Sequence, residues 1–416
     1  MYLNIIFFLI LKTITSYIKF SFTIEEDTSA VSYIETIMKT PLKFNIKIGN
    51  PFQTVPIYIK FDESYSYLSG TSISKHIYNE KQSSTYKEKE KEKSYYDTSF
   101  NQGIPSIEKF QFETNKNKFI ESTNFTFILA TKESKKIDIN SGVLGLKFAE
   151  FTYDVDGYFL HELKLKGLTD SYSWTIKFEK ENKGSIYLGE YPHEYDTSNY
   201  NLANYKTTRA GREAGKVTWN IDFDRIYFGE DNKFDENNQA ILNYEFGVII
   251  GTTAFIKEVN DKFFNKYQND KCIFQRTQVT NYYFYICDTS IDITKFPKII
   301  FINKDINMDF ELNYNDLFVE KNGKYHFLIV FYVMNTFRWT FGRPFLNKYQ
   351  IVFDHDRKLI GTYTQTGGIF PWSTIIIIFL GLIIFALVYY IIRYFKNKPR
   401  RIKANELLED LDYLTK

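Results

Sequence analysis

The sequence predicts an all-β body of two similar halves, followed by one apolar helix. Three observations carry this prediction. Short alternating or apolar runs dominate before residue 370, among them Phe44 to Ile48, Val55 to Phe61, Ser185 to Leu188, Lys298 to Ile302 and Gln350 to Phe353. Turn residues interrupt them, as expected of half-buried strands, and amphipathic helical stretches are scarce. An apolar strand also ends twice in an acid or its amide, at Phe61-Asp62 and Leu242-Asn243. Each is followed later by an apolar-apolar-Gly element, Val143-Leu-Gly145 and then Thr340-Phe-Gly342, as in an internal duplication. Finally, Ile375 to Ile392 carries no charge.

The ends fix the expected topology. Ile5 to Leu11 is an apolar run of leader length, so residues 1–20 are expected to be a signal peptide and 21–40 a short N-terminal segment. At the other end, residues 372–392 are expected to span a membrane. About 20 residues at ~1.5 Å each cross a ~30 Å hydrocarbon core. Trp372 and Tyr394 flank the run, and Arg393, Lys396, Lys398, Arg400, Arg401 and Lys403 follow it. Clustered cations mark the cytosolic side, which leaves 393–416 as a cytosolic tail and the main body lumenal or extracellular.

Composition sets further bounds. A net charge of +2 over 416 residues gives no general pull on nucleic acid. Aromatic residues make up 19 % of the chain and suit strands. Cys272 and Cys287 are the only cysteines; an even count in an exported body predicts one disulfide, with two free thiols as the alternative. Asn124-Phe-Thr126 is a glycosylation sequon. Lys87 to Lys93 alternates charge and reads as a solvated hairpin or helical turn. The sequence holds no Gly-x-Ser-x-Gly elbow, zinc-type His-Glu-x-x-His or phosphate-binding Gly-rich loop, so no metal or cofactor is expected.

Several motifs occur together in one order. Ile46-Lys-Ile-Gly49-Asn50-Pro51-Phe-Gln53, Phe61-Asp62, Ser83-Ser-Thr-Tyr86, Ser141-Gly-Val-Leu-Gly-Leu146 and Gly184-Ser-Ile-Tyr-Leu-Gly189 occupy the first half. Trp219-Asn-Ile-Asp-Phe, Ala240-Ile-Leu-Asn243, Trp339-Thr-Phe-Gly-Arg-Pro-Phe-Leu346 and Val352-Phe-Asp354 occupy the second. The set resembles the pepsin-like aspartic peptidases over roughly residues 41 to 363. The resemblance implies a bilobal pepsin-like fold, with one lobe from 41–200 and the other from 201–366.

The resemblance also implies a chemistry. Members cleave peptides with two aspartates that face each other and share one proton, because two adjacent carboxylates resist ionising together. Each aspartate sits in an Asp-Thr/Ser-Gly turn. Here the turns read Asp62-Glu63-Ser64 and Asn243-Tyr244-Glu245. Asp62 keeps the family position, whereas Asn243 replaces the second aspartate and cannot ionise. Glu63 and Glu245 fall at positions that, in the family, point away from the cleft or carry no side chain. Tyr96 matches the tyrosine of a hairpin that covers the cleft, with a solvent-facing tyrosine as the alternative reading. The expectation is a monomeric, membrane-anchored, non-catalytic homologue that binds an extended peptide or protein in its cleft. Its rivals are an active endopeptidase with an unusual dyad and a structural lumenal domain.

Overall fold

The computed structural model describes residues 17–25, 32–73, 78–95, 100–114, 118–133, 142–149, 155–180, 182–229, 233–234, 238–267, 271–277, 281–332, 334, 338–364, 383, 385–394 and 407. Tyr96, most of the expected leader and residues 372–382 of the expected span lie outside them.

The duplication is real at the level of strand pairing. In the first half, the strand Gln53–Lys60 runs parallel to Gly142–Gly145, with Lys60 opposite Gly145. Gly142–Gly145 in turn meets Tyr67–Ser69 antiparallel, and Tyr67–Ser69 runs parallel to the long strand Lys118–Glu133. The second half repeats all three relations. Gln239–Leu242 runs parallel to Trp339–Phe341, which meets Ile249–Gly251 antiparallel, and that strand runs parallel to Ile329–Tyr332. Short apolar segments with little alternation, such as Gly142–Gly145 and Ile249–Gly251, are buried on both faces, as strands enclosed from both sides must be.

The halves are joined by a shared run of strands. Ser173–Lys180 pairs with Val352–Asp354 from the far end of the sequence, placing Trp174 opposite Phe353. Those two rings stack at 3.8 Å, and Trp219 meets both edge-on. The Trp219 indole N–H also donates to the Leu146 carbonyl at 2.7 Å. Beyond the area they bury, such aromatic pairs contribute ~0.5–1.5 kcal/mol each. This seam is one reason the aromatic content is so high.

The body begins earlier than the sequence reading places it. Ile18–Ile24 is a strand, paired antiparallel with Lys183–Leu188 from Ile18 opposite Leu188 to Thr23 opposite Lys183. Ile18, Phe20, Phe22 and Ile24 are buried while the residues between them face outward, a period-2 pattern. Residues 18–20 therefore belong to the sheet rather than to a leader ending at residue 20. The segment expected at 21–40 also holds structure, including the helix Tyr33–Met38.

The resemblance motifs have visible local work. Gly49 adopts φ +92°, and the turn after it is held by Ser83, whose hydroxyl accepts from the Asn50 N–H at 2.9 Å. Gln53 exchanges two hydrogen bonds with the Asn79 backbone. The alternating-charge run forms two short strands, Lys87–Glu88 and Lys93–Ser94, against Phe100–Thr114. Cys272 and Cys287 sit opposite each other on adjacent strands and are disulfide-bonded, as the cysteine count predicts. Asn124 is exposed, at φ +58°, where the pairing of the long first-half hairpin shifts register between Glu108 and Phe110.

Residues 365–416 form a separate unit. Of its described residues, 383, 385–394 and 407, the run 385–394 is helical and exposes Phe385, Leu387, Val388, Tyr390 and Ile392. Among the described residues, no helix is long and apolar enough to cross a membrane.

Candidate functional site

Asp62 and Asn243 occupy equivalent places at the ends of Gln53–Lys60 and Gln239–Leu242. Each turn is pressed onto a glycine of the parallel neighbour. A Cβ on Gly145 would lie 2.5 Å from the Tyr65 carbonyl oxygen, and one on Gly342 would lie 2.1 Å from that of Val248. No other residue fits beneath either turn, which explains the repeated apolar-apolar-Gly element. The turns are then fastened by backbone: Lys147 N–H donates to the Glu63 carbonyl at 2.9 Å, and Asn243 N–H to the Phe341 carbonyl at 3.0 Å.

The side chains in these turns have diverged in role. The Asp62 side chain is 60 % exposed. Asn243 is buried, and its amide oxygen accepts the Glu245 N–H at 2.8 Å. Tyr244 takes the position of the bracing hydroxyl residue and is fully buried against Phe61, Phe178 and Phe353. Burial drives its phenol pKa far above the ordinary tyrosine range, so it stays neutral. Aromatic packing has replaced hydrogen bonding at this point of the seam. Glu63 is buried.

Glu245 has a role that its position in the motif does not suggest. It stands where the family motif has glycine, yet its side chain is buried and reaches the first half of the molecule. One carboxylate oxygen accepts the Phe61 N–H at 3.3 Å, and the other takes the Lys60 ammonium at 3.1 Å. Residues 184 and 185 positions apart are thus tied directly at the floor of the site. Every contact to this carboxylate comes from a donor, so it serves as an acceptor anchor.

A further group fills the space between the turns. The helix Tyr33–Met38 starts at Ser32, whose hydroxyl accepts the Glu35 N–H at 3.3 Å. Its apolar face, Ile34, Ile37 and Met38, packs on Val248, Ile250, Phe284 and Val330 of the second half. The backbone beyond it is held as well: Gly247 N–H donates to the Ile37 carbonyl at 2.9 Å, and Thr40 N–H to the Glu245 carbonyl at 2.9 Å. Lys39 follows, with its ammonium 3.8 Å from an Asp62 oxygen and 3.6 Å from a Glu245 oxygen. One lysine therefore sits against carboxylates from both halves. The sequence reading leaves this surface open; the chain's own segment covers its second-half side.

Two features limit the chemistry. An amide, Asn243, stands at the end of the second-half strand where the first half has Asp62, and an amide donates or accepts hydrogen bonds without exchanging a proton. The nearby carboxylates are faced by two ammonium groups rather than by each other. Among the described residues, no cluster of His, Cys, Asp and Glu suits a metal ion. The sequence reading finds Asp62 and Asn243 but misses Lys39, Lys60 and the helix. A charged residue at a glycine position was the available signal for Glu245.

Comparisons with known proteins agree with this architecture. The solved structure of conglutin gamma, a basic 7S globulin from lupine seeds, is 14 % identical, with a TM-score of 0.60 over 83 % of this chain and 95 % of that one. A search of curated protein sequences gave no match. The family model for eukaryotic aspartyl proteases matches residues 45–364, from just before the first motif to just past the last strand. The chain therefore belongs to the eukaryotic aspartyl protease family.

Proposed function

We propose that this protein is a non-catalytic aspartyl protease homologue that works by binding. It is held in a membrane by the span at 372–392, with its two-lobed body lumenal or extracellular and its tail in the cytosol, and it acts as a monomer. The observation that carries this reading is Asn243, whose amide oxygen accepts the Glu245 N–H and which puts an amide rather than a carboxyl at the place equivalent to Asp62. Groups that act as a catalytic unit fail together when one is removed. Binding survives such a loss, because an extended ligand is held by backbone hydrogen bonds and side-chain pockets rather than by the shared proton.

The ligand is an extended peptide or protein segment that competes with the chain's own residues 32–40, with Tyr96 contributing. The test uses the full chain in detergent and a library of extended peptides. Ile34→Asp with Ile37→Asp removes the apolar anchor of the segment and should raise peptide capture at least tenfold. No capture by either form would replace this reading with a structural role.

A second reading rests on Lys39, which lies between Asp62 and Glu245. With that lysine withdrawn, these two carboxylates could form an atypical dyad. Cleavage of denatured protein between about pH 3 and 7 discriminates the readings. The full chain and its Lys39→Ala variant are both expected to be inactive. Activity in either that disappears on Asp62→Ala would establish the peptidase reading instead.

A further inference from the structure

A second concavity lies outside the Asp62–Asn243 turns and has the features of a small-molecule site. It holds about 330 Å³, at the lower end of the usual range for ligand pockets. One wall is the start of the helix, Ser32, Tyr33 and Glu35. The others come from the disulfide-linked pair of strands and from the hairpin Phe318–Lys321 to Lys324–Phe327. Phe284 and Ile286 supply apolar surface, His326 lies beside them, and Arg276, Lys321 and Lys324 bring three cations.

The polar groups here are unequally satisfied. Lys324 pairs with Asp288 at 3.1 Å, which removes most of its charge from the balance. Arg276 donates to the Asn281 side-chain oxygen, a neutral acceptor that leaves the guanidinium charge uncompensated. Lys321 lies 5.5 Å from the centre of the Tyr33 ring. Among the described residues, neither Arg276 nor Lys321 has a carboxylate partner. The one acid on the wall, Glu35, accepts from the Ser32 hydroxyl at 3.1 Å. His326 is only 6 % exposed, and its Nδ1 is shielded from solvent with no hydrogen-bond partner among the described residues. A buried polar atom left unsatisfied costs free energy unless something fills the place beside it.

We propose that this pocket binds a small organic anion, a carboxylate or phosphate carried on a flat apolar body. The oxyanion is held by Arg276 and Lys321, the body lies on Phe284 and Ile286, and a polar atom of the ligand meets His326 Nδ1. Because Tyr33 and Ser32 form one wall, the bound anion also fastens the N-terminal helix to the second lobe. This site makes no use of the Asp62–Asn243 turns, so its failure would leave the proposed function untouched, and the reverse also holds.

The test is calorimetric titration of the full chain in detergent with benzoate, phenyl phosphate, inorganic phosphate and benzamide. Benzoate, phenyl phosphate or both should bind, whichever binds identifying the headgroup. Benzamide, which matches benzoate in shape without the charge, should bind at least tenfold more weakly. Inorganic phosphate should be weaker than phenyl phosphate. Arg276→Gln with Lys321→Gln changes two exposed residues and should keep the parent melting temperature while lowering affinity tenfold or more. His326→Phe should lower it by a smaller factor. Equal binding of benzamide and benzoate, unchanged affinity in the double variant, or no binding of either aromatic anion overturns the proposal. Inorganic phosphate as tight as phenyl phosphate removes the apolar half of it.

Discussion

Replacing Glu245 by glutamine tests whether the carboxylate at the floor of the site holds the two lobes together. Glutamine keeps the shape and an acceptor for the Phe61 N–H, so the change removes little besides charge. The Lys60 ammonium lies 3.1 Å from the carboxylate, whose side chain is 1 % exposed, while that of Lys60 is 23 % exposed. At an effective dielectric of about 20, unit charges at this distance attract by ~5 kcal/mol. Breaking one side of a buried pair costs ~3–5 kcal/mol. The exposed lysine recovers water, which lowers the expected loss to ~2–3 kcal/mol. A folded body of roughly 350 residues has an unfolding entropy near 0.7 kcal/mol per kelvin at its midpoint. The melting temperature should therefore fall by about 3–4 °C in scanning calorimetry at neutral pH. Adding Lys60→Met should restore at least half of this, because the uncompensated ammonium is then gone. A Glu245→Gln protein that melts within about 1 °C of the parent would refute the bridge, and a double variant that loses the sum of two independent effects would refute the pairing.

Three further outcomes are expected. Replacing Cys272 and Cys287 by serine opens a loop of 15 residues and should cost ~3 kcal/mol, or about 4 °C, seen as a lower melting temperature for the variant; an unchanged midpoint counts against a structural role. Burial holds the imidazole pKa of His355 below its ordinary 6.5, and its Nε2 accepts the Ala149 N–H at 3.3 Å. The folded state thus takes up a proton less readily than the unfolded one, so this contribution is present above about pH 6.5 and is lost as pH falls below it. His355→Asn should show a smaller drop in melting temperature between pH 7.5 and 5.5 than the parent; an equal drop assigns the dependence to other groups. In microsomes, Asn124 should carry a glycan that Asn124→Gln removes, and added protease should trim only the tail beyond Arg393. Digestion of the body with protection of the tail reverses the proposed orientation.

The sequence exposes the parts of this fold that repeat or alternate. The two turns and their glycines stand out because both halves must solve one steric problem, so Gly145 and Gly342 follow Phe61-Asp62 and Leu242-Asn243 in the same order. Asp62 and Asn243 were legible for that reason. The strand Ile18–Ile24 also carries a plain alternation, but the adjacent apolar run Ile5 to Leu11 drew it into the expected leader. The helix Tyr33–Met38 spans six residues, too short for a periodic signal. The placement of Lys39 and Glu245 depends on pairing across roughly 180–210 positions, which no local pattern encodes. Tyr244 shows the same limit: its packing among Phe61, Phe178 and Phe353 is set by three distant segments.

The pairing of Ser173–Lys180 with Val352–Asp354 has a consequence for how the protein is made. During synthesis the first of these strands emerges about 170 residues before its partner. At roughly 5–20 residues per second, its edge waits on the order of 10–30 seconds. An unpaired strand edge of that kind templates pairing with other chains. The first lobe of a nascent chain is thus the aggregation-prone intermediate, and chaperones should hold it until residue 354 has left the ribosome. Truncations that end between the two strands should stay chaperone-bound, whereas chains extended through Tyr363 should be released.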